Sequence, residues 1–190
     1  MSKVAQTKDR LSKEEWLSHS LQALAGEGFT ALKADKLAKS LGVSRGSFYW
    51  HFKDLKDFHT QVLETWKLVM VSNTIEQLEG VQPESGDSLD ARAKLEQLIT
   101  KANSNDPSLE QSIRAWAFSD SDVRKAVAEV DSVCLQYLES LLQVMGFDDD
   151  LVQVKARIIY AGHIGNIMLG GEIAKNQKTL LVEELLKMAD

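Results

Sequence analysis

The sequence predicts an all-α protein, and three observations carry that expectation. Only two prolines occur in 190 residues. No segment alternates apolar and polar residues with the Val, Ile and Thr enrichment of strands. Apolar residues recur instead at three- and four-residue spacings between clusters of Gly, Ser, Asn and Asp, which is the period of amphipathic helices. The 44% hydrophobic and 26% charged content is ordinary globular chemistry.

The helices follow in order. Ser12 and Glu15 stand at capping-box spacing, and Leu17, Leu21 and Leu24 follow at i, i+4 and i+7 until Gly26 and Gly28 end a first helix. Ala34, Leu37, Ala38 and Leu41 form a short second stripe, closed by Gly42 where a left-handed glycine belongs. Ser44 is placed to cap a third helix with Phe48 and Phe52 four residues apart on one face. A longer helix is expected over residues 54–79, with Phe58, Val62, Trp66 and Val69 on its apolar side, and turn chemistry over residues 80–87 ends it. Further helices are expected over residues 89–103, 108–118, 122–145, 150–169 and 179–188.

Composition excludes several classes. The single Cys134 leaves no internal disulfide framework and no Cys/His zinc cluster, which fits a reducing compartment. The first ten residues hold no apolar signal segment, and the apolar run over residues 158–169 is interrupted by His163 and Asn166 and is too short to span a bilayer. A cytoplasmic location without membrane contact is expected. The net charge of −6 disfavours a phosphate-rich partner, but the average hides an asymmetry. Residues 1–60 carry ten Lys/Arg against seven Asp/Glu, a net of +3, which leaves −9 for the remainder. A mildly basic head on an acidic body can signal nucleic-acid contact.

The second and third helices, joined by Gly42, Val43 and Ser44, form a helix-turn-helix pattern whose second member can enter a DNA major groove. At about 100° per residue, Phe48 and Phe52 define the core direction, while Gly46, Ser47 and Trp50 point away and Tyr49 and His51 flank. Gly46 then allows close approach, and Arg45 and Ser47 supply hydrogen bonds to base edges. Trp50 offers apolar contact to thymine methyls, and Tyr49 and His51 can bond phosphate. The plain alternative is a surface helix packing its aromatics on a neighbour. Two phenylalanines already occupy the core face, however, and the stretch from Ser44 to Phe52 contains no acid.

Residues 28–58, GFTALKADKLAKSLGVSRGSFYWHFKDLKDF, resemble the N-terminal DNA-binding domain of the TetR family of bacterial transcriptional regulators. The similarity is concentrated in LAKSLGVSRGSFYWHFKD. It implies that Arg45, Gly46 and Ser47 approach bases, that Tyr49 and His51 contact backbone phosphates, and that Lys53 is a further basic contact. Two positions depart from the family. Leu55 stands where Lys is common, with Lys56 next door as a substitute, and Lys33 replaces the usual Thr before the second helix, exchanging a capping hydroxyl for a phosphate-seeking charge. The division implied is a helix-turn-helix DNA-binding domain over residues 1–56 and a helical ligand-binding and dimerisation domain over residues 57–190.

The resemblance implies a homodimer with a small-molecule cavity in each body. The helix before the last is apolar or small on nearly every face, and the last helix is crowded with aliphatics, so Ile158, Ala161, Gly162, Ile164, Gly165, Met168, Leu181 and Leu185 are expected at a two-fold four-helix interface. Trp66, Met70, Trp116, Phe118, Cys134 and Tyr137 are candidates to line the cavity, against the alternative that each is ordinary core. No enzyme is expected. Glu15 and His19 lack a third ligand, Asp148 to Asp150 do not have calcium-loop spacing, and no catalytic or cofactor motif appears. The expected protein is a ligand-responsive regulator: a repressor that binds a palindromic operator as a homodimer and is released by an unidentified small molecule. A ligand-binding or interaction module with weakened operator affinity, and an activator, are the alternatives.

Overall fold

A computed structural model describes residues 11–71, 88–169 and 175–187, and these are helical throughout apart from their connections, with no strand among them. The elements are α1 (Lys13–Glu27), a 3₁₀ turn (Phe29–Ala31), α2 (Ala34–Leu41), α3 (Arg45–His51) and α4 (Leu55–Val71), then α5 (Ser88–Ser104), α6 (Ser108–Ala117), α7 (Ser121–Val144), α8 (Asp149–Leu169) and α9 (Lys175–Lys187). The all-α expectation holds. The extension of the fourth helix to residue 79 and the turn over residues 80–87 lie outside the described residues. The last helix begins at Lys175, four residues before the expected start.

Local chemistry sets the ends of the head helices. Ser12 Oγ accepts the Glu15 amide at 3.1 Å while Glu15 Oε2 accepts the Ser12 amide at 2.6 Å, a complete capping box. Gly42 adopts φ 68°, ψ 29°, and the Val43 amide reaches back to the Ala38 carbonyl at 3.0 Å, so the left-handed residue closes α2 as a Schellman turn. Ser44 takes the extended backbone of an N-cap, but its hydroxyl makes no capping bond; only its carbonyl engages, accepting the Ser47 amide at 3.0 Å. At the start of α4 the Asp54 carboxylate accepts the Asp57 amide at 2.8 Å, and Asp57 Oδ2 accepts the Lys53 amide at 2.9 Å.

Two hydrophobic cores form. The first gathers α1 to α4 with α6 and the first half of α7, around fully buried Trp16, Phe48, Phe52, Phe58, Trp66 and Ile113. Rings of Phe48, Phe52 and Phe58 lie 4.9–5.0 Å apart, and Trp16 meets Phe48 edge-on at 5.6 Å, which fixes α3 against α1 and α4. The second core joins α5, the remainder of α7, α8 and α9 through Leu95, Leu142, Ala156, Ile159 and Leu185. The apolar core therefore does not part at residues 56/57. It runs from the small helices along α4 into α6 and α7.

Candidate nucleic-acid interface and internal cavity

Helix α3 is divided by its own periodicity. Phe48 and the following Phe52 are fully buried, whereas Tyr49 is 50% and Trp50 73% exposed. Arg45, Gly46, Lys53 and Lys56 are exposed, and Ser47 and His51 are half-buried. Arg45 Nη2 donates to the Tyr49 hydroxyl at 3.2 Å with its guanidinium 5.7 Å from the ring centre, and its Nε stands 3.2 Å from Asp35 on α2. The end of α2 nearest Lys33 is thereby tied to the first turn of α3. Lys33 itself is exposed and provides no side-chain cap, and Leu55 is exposed where α4 begins. A Cβ added at Gly46 would meet only Ser44 Oγ at 3.6 Å, an ordinary contact. Nothing among the described residues requires that glycine.

The seam between head and body is aromatic. Phe29 stacks on Trp116 of α6 at 4.4 Å, and His59 of α4 meets both rings at 5.2–5.3 Å while its Nε2 donates to the Leu32 carbonyl at 3.1 Å. Lys67 bridges Glu64 and Glu129 at 2.7 and 2.8 Å, joining α4 to α7. Trp116, expected in a cavity, is consumed by this seam.

Among the described residues a cavity of about 280 Å³ lies between α4, α5, α6, α7, α8 and α9. Met70, Cys134 and Tyr137 line it as expected. Trp66 and Phe118 do not: Trp66 is fully buried in the first core, and Phe118, carried past the end of α6, is 81% exposed. The aliphatic walls include Leu98, Ile99, Leu109, Leu138 and Ile159. Ile164 and Leu185, expected at a dimer interface, turn inward to line this space. Leu185 is buried, and a Cβ on Gly162 would stand 2.8 Å from its Cδ2, so that close approach joins α8 to α9 within one chain. Leu181 packs against the second core. Ile158, Ala161 and Met168 are exposed, and beside half-buried Gly165 nothing lies within 4 Å of an added Cβ.

A charged cluster at the cavity has no counterpart in the sequence reading. Glu110 on α6 is only 6% exposed; its Oε1 accepts from Arg114 Nε at 2.7 Å. Both Arg114 terminal nitrogens donate to Asp131 on α7, and the Tyr160 hydroxyl donates to Asp131 Oδ1 at 2.7 Å. Burial raises the Glu110 carboxyl above the usual range, with Arg114 opposing and Asp131 adding. The Trp66 indole lies against the same carboxylate and lowers it, although its N–H makes no hydrogen bond of full geometry. Burial works against the Arg114 charge, but Asp131 and Glu110 more than offset it, and its pKa stands above the ordinary value. Tyr160 is raised by burial with Cys134 and Asp131, and burial pushes the Cys134 thiol up to about 11. His163 is pushed down to about 4 by burial, with Arg114 adding, so it is neutral near pH 7. The Glu110–Arg114 pair at i, i+4 was a sequence signal, but its spacing alone describes countless solvated pairs.

No group of three His, Cys, Asp or Glu among the described residues could hold a metal ion. Glu15 is occupied by its capping box, and His19 Nε2 pairs with the Ser40 hydroxyl at 2.7 Å. No helix among the described residues is long and apolar enough to cross a membrane.

Residues 17–57 match the family described as bacterial regulatory proteins, tetR family. The HTH-type transcriptional regulator AcrR of Shigella flexneri is 28% identical over 64 residues, a stretch covering 34% of this chain and 30% of that protein's length. Solved structures share the fold over nearly the whole chain. A TetR/AcrR-family transcriptional regulator superposes with TM-score 0.75 at 18% identity, covering 94% of this chain and 98% of that one. A TetR transcriptional regulator from Legionella pneumophila gives 0.69 at 14% identity, covering 99% and 97%. The regulator FadR from Bacillus subtilis, solved in complex with stearoyl-CoA, gives 0.67 at 19% identity, covering 94% and 97%.

Proposed function

We propose that the chain is a transcriptional regulator of the TetR family, a ligand-responsive repressor acting as a homodimer on a palindromic operator. The carrying observation is the outward face of α3, where Arg45, Gly46, Tyr49 and Trp50 are exposed while Phe48 and Phe52 hold the helix to its core. Residues 1–56 would read DNA, with Arg45 and Ser47 on base edges and Lys33, Tyr49, His51, Lys53 and Lys56 on phosphates. Residues 57–190 would hold the effector and the partner. The exposed apolar side of α8, with Leu151, Val154, Ile158 and Met168, supports pairing, and half-sites read by a dimer would lie ~34–36 Å apart.

Two routes connect cavity and head. Helix α4 places Met70 on the cavity and Phe58 against the recognition helix. Helix α6 places Glu110 on the cavity and Trp116 on the Phe29–His59 seam. A ligand that shifts either helix re-aims the heads, and a coupling of about 1–3 kcal/mol changes operator affinity roughly 5–150-fold. The small-molecule role of the body is supported by the cavity and by the ligand-bound FadR relative.

The test is a gel-shift titration against the DNA upstream of the protein's own gene and against random DNA. Preferential binding that Arg45→Ala and Tyr49→Ala each weaken supports the reading. Equal affinity for both DNAs, unmoved by either substitution, rejects it in favour of an interaction module.

A further inference from the structure

The first turn of α3 has an acid beside it that the helix itself does not carry. Asp35 lies in the first turn of α2, and the chain reversal at Gly42 brings its Oδ1 to 3.2 Å from Arg45 Nε. A negative charge next to a face that meets phosphate lowers affinity for every DNA sequence alike. Glu15, Asp54 and Asp57 serve the backbone: the first closes the capping box of α1, and the other two accept amides at the start of α4. Asp35 faces the Arg45 guanidinium instead. Tyr49 holds the other side, its hydroxyl accepting from Arg45 Nη2 at 3.2 Å and its ring centre 5.7 Å from the guanidinium carbon. Nε and Nη2 are thus both engaged, while Nη1 makes no hydrogen bond among the described residues. A free arginine is long and rotamer-rich, and fixing it on binding costs affinity. One already held by two partners presents its planar donor edge in a set direction.

Resting on the DNA-reading role of α3 above, we propose that Asp35 is a positioning residue for Arg45: with Tyr49 it holds the guanidinium so that its Nη1 end meets a guanine in each operator half-site. Guanine O6 and N7 are the acceptor pair that an arginine fork matches in the major groove. In this arrangement Asp35 touches no base and acts through Arg45 alone. The Tyr49 hydroxyl, accepting from Arg45, keeps its own proton for a backbone phosphate. A carboxylate in the first turn of α2 also suits the helix macrodipole, but that role by itself leaves base preference untouched.

The test selects binding sites for the full chain from a pool of random duplex DNA, then titrates the preferred site and its single-base variants by gel-shift. The parent is expected to prefer guanine at one position of each half-site by about 5–150-fold, a preference that Arg45→Ala removes. Asp35→Ala should relax preference at that same position at least about fivefold, yet bind random DNA as well as the parent or better, because a negative charge is gone. Asp35→Asn, which loses the charge but keeps an acceptor, should retain part of the preference. Asp35→Ala added to Arg45→Ala should change the preference no further, with melting curves showing that every variant folds. Full guanine preference in Asp35→Ala, equal effects of the two Asp35 substitutions on all DNAs, or relaxation at a position other than the one set by Arg45 overturns the assignment. Loss of preference in Arg45→Ala but not in Asp35→Ala leaves the DNA role standing and removes Asp35 from it. A parent that selects no sequence removes both.

Discussion

The head and the body handle polar groups in opposite ways. In the head, Trp16, Phe48, Phe52 and Phe58 fill the interior, the Ser20 hydroxyl, buried among the described residues, donates to the Trp16 carbonyl at 2.6 Å, the Trp16 indole N–H is buried without a partner, and charge is kept outside. In the body, Glu110 and Asn103 are buried, Arg114 and Asp131 are largely so, and the charges converge on a cavity. On the proposed reading, the region that meets DNA displays its hydrogen-bonding groups on a rigid aromatic base. The region that admits a small molecule keeps charged groups inside and spends stability to do so.

The strongest way to break this contrast is to remove the body's buried cation. Arg114→Met leaves Glu110 and Asp131 facing each other without a counter-charge and is expected to cost about 3–5 kcal/mol in denaturant unfolding. A loss below about 1 kcal/mol would mean that the cluster is solvated and the comparison with the head is mistaken.

Acid should expose the same property. His163 is held near pKa 4 in the fold against 6.5 when unfolded, so the unfolded chain binds its proton first as pH drops. The stability present above pH 6.5 is lost as pH falls toward 4, by up to about 3 kcal/mol. The raised Glu110 carboxyl has the opposite sign: its contribution is present at low pH and lost as pH rises through its folded value. Comparing the parent with His163→Gln, where Glu110 is unchanged, isolates the histidine. The variant should lose less stability between pH 6.5 and 4 in urea melts.

Gly162 is a milder probe. An added methyl would stand 2.8 Å from Leu185 Cδ2, the end of a side chain that borders the cavity and can shift into it. Gly162→Ala should therefore change stability by less than about 1 kcal/mol, the gain in helix propensity offsetting the displaced methyl, read from the shift in unfolding midpoint.

Legibility in the sequence followed the same division. Residues 42–52 disclose helix α3 because the glycine turn, the cap position and the Phe48/Phe52 spacing are all local. Even there the most buried ring of α1 was missed: Leu17, Leu21 and Leu24 fit the stripe, but Trp16, one position over, is the residue at the centre. In the body, Glu110, Asp131, Tyr160 and His163 stand on three helices and meet only after folding, so no spacing announces them. The interruption of the apolar run by His163 and Asn166 was the visible mark, and it served only to exclude a membrane span. The inward turn of Ile164 and Leu185 was equally hidden, because an all-apolar helix does not say which face meets its own chain.

Gly46 tests the central claim that the outer face of α3 exists for a partner outside the chain. Its Cβ position is open and its backbone is helical, so Gly46→Ala should leave the protein as stable as before or more stable by up to about 1 kcal/mol. Affinity for the upstream DNA, measured by gel-shift on the same preparation, should fall at least about tenfold as the methyl holds the helix off the groove. Undiminished DNA affinity in a fully folded Gly46→Ala protein would contradict the assignment of this face to DNA.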